Sequence, residues 1–193
     1  MPVIVYSREL QKLLVKRPAL KSRIESVAGD YFPEIAQARF GRASRNAYYD
    51  FRSGTVRVNS GCSVYVIGHE LVHFLQDARH YNGPLCPSGE RSCDLFLFAR
   101  SPALVADVWN GDASYLLQGA RGRVLAARFT KAEGQQLVHE VCAEAVRLRS
   151  DGKHNYIQWA EHEIDARILA RGKSPVMPPE CHSAGQASHR TGR

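Results

Sequence analysis

Residues 66–77 read VIGHELVHFLQD, an apolar stretch into which two histidines and a glutamate are set. Val64, Ile67, Leu71, Phe74 and Leu75 recur at helical spacing, and Ser60 or Ser63 can cap the start, so the pattern predicts a helix ending near Asp77 or Arg79. Residues four apart lie one turn above each other. His69 and His73 therefore share a face and can offer two imidazole nitrogens to one ion at about 2.0–2.1 Å each. Glu70 follows the first histidine and projects beside that ion, where it can take a proton from a water without being a ligand itself. The competing reading is a pair of satisfied core histidines with a salt-bridged glutamate, which demands buried hydrogen-bond partners for every one of these groups.

The flanking sequence predicts an α+β fold, mostly helical, with a small antiparallel sheet before the HExxH helix. VIVY (3–6) reads as a short strand, RELQKLLVKR as a helix capped by Ser7, and PALKSRIESVAG as a second helix with proline in its first turn. Residues 34–40 carry no decisive pattern. AYYDF and TVRVN, separated by Arg52, Ser53 and Gly54, read as a hairpin. Residues 80–93, with two prolines and two glycines, read as a surface loop. DLFLFARSPALVADVW looks helical with a break near Pro102, SYLLQGARGRVLAARF is helical in tendency, Thr130 and Glu133 form a capping box for a helix to about Arg149, and a last helix spans about Asn155 to Arg171. A single domain is expected over 1–172, with residues 173–193, rich in proline, serine and glycine, as a mobile tail.

At 193 residues the chain can bury one core, and no apolar run approaches the roughly 18 residues that span a bilayer. No membrane partner is expected. The N-terminus lacks a secretory pattern, so cytoplasmic residence is the default, delivery as an effector by another route being the alternative. The five cysteines form no CxxC pair, and free thiols are expected over a local Cys86–Cys93 bridge. Twenty-six basic against nineteen acidic residues give +7, which favours acidic partners in general. Nucleic acid is not supported by any motif, because the arginines are dispersed along the chain.

A catalytic zinc site needs a third protein ligand and an open fourth position. WAEHEIDARILA, residues 159–170, offers Glu161, His162, Glu163 and Asp165; Glu140 and Glu144 on the preceding helix are further candidates. In HELVH together with this helix the chain resembles the zincin metallopeptidases, specifically gluzincin-like proteins in which HExxH is completed by a glutamate from a later helix. Small bacterial members often carry ExxAxxxA, which Glu163, Ala166 and Ala170 fit, and the resemblance therefore selects Glu163 as third ligand. Thermolysin-like members place an aspartate four residues after their ligand, a layout that Glu161 and Asp165 match, and Glu161 lies closer to the apolar face of Ile157, Ala160, Ile164 and Ile168. The HExxHxxGxxH extension of metzincins is absent.

The resemblance implies one zinc ion, a protein or peptide substrate, and hydrolysis in which a metal-activated water gives its proton to Glu70 as general base. It also implies that the strand near Thr55 to Asn59 lies at the cleft edge and pairs with an extended substrate. Tyr156, His162, His154 and Arg167 are candidates for stabilising the transition state, and Asp165 for orienting a histidine. The alternative is a zinc-stabilised binding module without protease activity, engaging an acidic protein or a nucleic-acid-associated partner.

Overall fold

The structure is a computed structural model and describes residues 2–77 and 86–171; the expected tail with Cys181 and residues 80–85 of the expected loop lie outside the described residues, and the end of that loop, Glu90 to Cys93, is helical instead. The fold is mixed, with a four-stranded sheet and seven α-helices among the described residues. Strand β1 (Val3–Tyr6) leads into α1 (Arg8–Lys16), where Ser7 accepts the Leu10 amide as N-cap, and then into α2 (Pro18–Tyr31) with Pro18 in its first turn. The chain continues as β2 (Gln37–Arg42), β3 (Tyr48–Asp50) and β4 (Thr55–Val58).

The sheet order is β1-β2-β4-β3, with β1–β2 and β2–β4 parallel and β4–β3 antiparallel. The expected hairpin is β3–β4, but the sheet is mixed rather than antiparallel. The difference comes from residues 37–42, which form the central parallel strand: Ala38 and Phe40 face the core while Gln37, Arg39 and Arg42 face out. Strand β4 is bonded on both sides, which removes it from the expected cleft-edge role; the edge strand at that end is β3.

Helix α3 (Val64–Gln76) packs on β3 and β4, and α4 (Glu90–Phe98) packs on α3. Gly68 permits the approach of the two helices: a Cβ there would sit 2.6 Å from Leu97 Cδ1. A 3₁₀ turn at Pro102–Leu104 follows α4. Helices α5 (Ala120–Arg128), α6 (Lys131–Ser150, with the Thr130–Glu133 capping box) and α7 (Tyr156–Arg171) complete the molecule. Residues 115–119 are not helical as expected, because Leu116 turns inward and its amide is taken by a side chain of α4. One core unites Leu10, Ile24, Phe40, Ile67, Leu97 and Ile164. Cys62, Cys86, Cys93 and Cys142 are buried free thiols. No helix among the described residues is long and apolar enough to cross a membrane.

Candidate metal centre

Ser63 caps α3 by accepting the Val66 amide, and the helix then carries Tyr65, His69 and His73 one turn apart on one stripe. That stripe faces α4, whose first turn holds Glu90 and whose second holds Asp94. Gly89 precedes Glu90 with φ 105°, a left-handed conformation in which a side chain would be strained, and Glu90 sits where the positive end of the helix dipole favours a carboxylate.

The two helices meet at the imidazoles. Glu90 Oε2 lies 2.9 Å from His69 Nε2 and 3.2 Å from His73 Nε2. On the other side of the rings, His69 Nδ1 lies 2.9 Å from Asp94 Oδ1 and His73 Nδ1 lies 2.7 Å from Gln76 Oε1. Acceptors at both Nδ1 atoms fix the N–H there and turn both Nε2 lone pairs toward one point. Gln76 also donates to the Pro87 carbonyl at 2.7 Å, which ties the segment before Glu90 to His73.

Asp94 is fully buried and accepts four hydrogen bonds: Oδ1 takes His69 Nδ1 and the Tyr65 hydroxyl (3.0 Å), and Oδ2 takes the Ser114 hydroxyl (2.7 Å) and the Leu116 amide (3.0 Å). One carboxylate thus orients a histidine and holds the loop carrying Tyr115, whose ring stacks on His69 with centroids 6.0 Å apart. Burial works against a charged His69, but the hydrogen bond and charge of Asp94 outweigh it and raise the pKa. Glu70 is buried beside both histidines, and desolvation raises its pKa despite the opposing histidines and the hydrogen bond that the Tyr49 backbone donates to it. A cavity of about 350 Å³ opens at His69 and Glu70, lined also by Asn46, Asn59, Val66 and Tyr115.

His69, His73 and Cys93 form a cluster that can hold a metal ion, with ligand atoms within 4.8 Å of one another. The Cys93 thiol, however, donates to the His69 carbonyl at 3.2 Å, and burial pushes its pKa well above the usual thiol value, which opposes the thiolate that a metal ligand must be. The Glu90 carboxylate is the better donor by chemistry and position. Ligands at 2.0–2.1 Å around a tetrahedral ion stand about 3.3 Å apart, close to the 2.9 and 3.2 Å separating Glu90 Oε2 from the two nitrogens. The residues present fit a tetrahedral divalent ion.

The acids of α7 expected near the metal are engaged by arginines. Glu163 is held by Arg167 at 2.9 Å, and Arg167 also reaches Glu140 of α6, so Glu163 is outside the metal-capable cluster. Glu161 pairs with Arg91 (3.2 Å) and Arg121, and Asp165 pairs with Arg121 at 2.7 Å. Tyr156 is buried with its hydroxyl 3.3 Å from Ser92 Oγ. Arg91 and Ser92 adjoin Glu90, so α7 braces the first turn of α4. His162 and His154 are exposed, and Glu144 is bound to Arg147.

Glu90 and Asp94, which meet the histidines at the candidate site, are not among the residues that the sequence singles out. Their signal is an acid pair at helical spacing, E-x-x-x-D, hidden behind a stretch that reads as loop. Compared with protein-family models, with curated proteins and with solved structures, the chain matches none.

Proposed function

We propose that the chain is a zinc-dependent metallopeptidase of gluzincin type, in which His69, His73 and Glu90 hold one zinc ion and Glu70 is the general base. The observation that carries this reading is the convergence of both Nε2 atoms on one Glu90 oxygen, with both Nδ1 atoms already satisfied on the far side. A simple core pair would not need a carboxylate shared between two imidazoles. Glu90 and Asp94 also fit the layout of thermolysin-like members, an aspartate four residues after the ligand glutamate. The short antiparallel edge strand beside α3 supports a zincin-like arrangement.

Zinc, when bound, supplies a Lewis acid that polarises a carbonyl and acidifies a water. Glu70, with its proton affinity raised by burial, would accept a proton from the attacking water and pass it to the leaving amine. Asp94 holds the His69 proton on Nδ1 and so keeps Nε2 as the nitrogen that would ligate the metal. Tyr115, at the rim of the cavity and against the His69 ring, is placed to donate its hydroxyl to the developing oxyanion. Strand β3, whose Tyr49 backbone bonds to Glu70, is the edge along which an extended substrate would lie.

The test offers unfolded casein and a mixed peptide library to the zinc-loaded chain. Cleavage that vanishes in Glu70→Gln while zinc stays bound supports the peptidase. Zinc retention with cleavage indifferent to Glu70→Gln, or with none, leaves a zinc-stabilised binding module.

A further inference from the structure

Strand alternation sets Arg39 and Arg57 on the outer face of the sheet, and arginines at the end of β2 and in the connection after it border that face. Arg39 projects outward from β2, Arg42 is exposed at the end of that strand, and Arg45 is exposed in the connection to β3. The register sets Arg57 of β4 beside Gly41 on one side and Tyr48 on the other. Gly41 makes room for this: a Cβ there would meet Arg57 Nη1 at 3.2 Å and Thr55 Cγ2 at 3.1 Å, so the Arg57 side chain can lie across β2. The face is open to solvent, with Val3 62%, Val5 41% and Tyr48 49% exposed.

Residues 37–58 hold five arginines against one acid, Asp50, so this short stretch carries +4 of the whole chain's +7. Asp50 is engaged by Arg57 at 3.1 Å, and Arg39, Arg42 and Arg45 have no acidic partner among the described residues. A cavity of about 520 Å³ continues the strip, lined by Ser7, Glu9, Arg42, Ser44 and Arg57 where the parallel strands β1 and β2 end. Guanidiniums and hydroxyls are the donors that phosphate oxygens accept. A half-exposed tyrosine ring among them adds what a phosphate chain alone does not use, a surface on which an unstacked base can lie.

We propose that this outer sheet face, through Arg39, Arg42, Arg45 and Tyr48, binds single-stranded nucleic acid. Charge complementarity accounts for the backbone and Tyr48 for a base, whereas an acidic polypeptide would use the charge and leave the ring idle, and a duplex keeps its bases stacked. The strip adjoins the metal centre, because Asn46 and Ala47, between Arg45 and Tyr48, line the cavity at His69 and Glu70. Binding does not depend on the metal or on peptidase activity.

Fluorescence anisotropy of a labelled oligothymidylate of about 20 nucleotides, titrated with the full chain in chelator at several salt concentrations, tests it. Affinity should fall log-linearly with salt. Arg39→Gln, Arg42→Gln and Arg45→Gln should each weaken binding several-fold and flatten the log–log slope by about 0.7. Tyr48→Ala should weaken it about tenfold at unchanged slope, and Arg123→Gln, on exposed α5 surface, should change nothing. All these side chains are exposed, so melting temperatures should match wild type. The proposal is overturned by binding that ignores salt, by Arg123→Gln weakening it as much as the strip variants, by an unaffected Tyr48→Ala, or by preference for duplex or polyglutamate.

Discussion

Asp94→Asn preserves shape and removes one acceptor oxygen from a buried site that receives four donors, so its effect can be worked from the geometry. With the amide oxygen at the Oδ1 position, His69 Nδ1–H and the Tyr65 hydroxyl are still accepted and the Ser114 hydroxyl can rotate, but the Leu116 amide keeps only Ser114 Oγ, at 3.2 Å, as an acceptor and is set against an NH₂. That donor–donor contact, with one hydrogen bond lost, costs about 1–3 kcal/mol. With the amide flipped, Leu116 and Ser114 are satisfied and Tyr65 can give its proton to the Ala113 carbonyl at 3.0 Å, but His69 must then accept at Nδ1 and carry its proton on Nε2. The second arrangement is the less strained, and it closes the ligand nitrogen. Metal binding therefore has to reverse the flip, and zinc affinity should fall about 10–100-fold, equivalent to about 1.4–2.8 kcal/mol. Chelator competition measures the affinity, and melting with and without zinc measures stability. Zinc affinity equal to wild type in Asp94→Asn would refute the role given to Asp94.

Gly68→Ala should destabilise the protein by about 1–3 kcal/mol in chemical denaturation, since the added methyl meets buried Leu97 at 2.6 Å. Arg121 lies beside Asp165 and holds its carboxyl below the usual carboxylate range. That ion pair stabilises the fold at neutral pH and fades as pH falls through the depressed value, so the stability difference between wild type and Arg121→Gln should narrow in acid; Asp165 is half-exposed, and about 1 kcal/mol is the ceiling. Tyr115→Phe should lower kcat about 10–100-fold with KM and zinc content unchanged.

Much of this architecture was open to inspection in the sequence, and the failures have identifiable causes. Helix α3 was legible because its apolar spacing and Ser63 cap agree with its tertiary role, and the β3–β4 hairpin because its strands alternate around a glycine-containing turn. Strand β2 was not, since three of its six residues face solvent and two of those are arginines, leaving only Ala38 and Phe40 as inward signal. The candidate site divides the same way. His69, Glu70 and His73 are fixed by local periodicity, whereas Glu90 opens a helix directly after Pro87 and Gly89 and so reads as loop. Glu161 and Asp165 of α7 look free in the sequence because their partners, Arg91 and Arg121, are 70 and 44 positions away, a separation that no local pattern encodes; Glu163 is the exception, paired with Arg167 one turn on.

Zinc affinity of Glu90→Ala against Glu163→Ala tests the central claim most directly. The geometry predicts that wild type and Glu163→Ala each bind one zinc equivalent with the same affinity and that Glu90→Ala binds at least 100-fold more weakly, as expected for loss of a ligand rather than of an outer partner. Normal affinity in Glu90→Ala together with weakened binding in Glu163→Ala would contradict it.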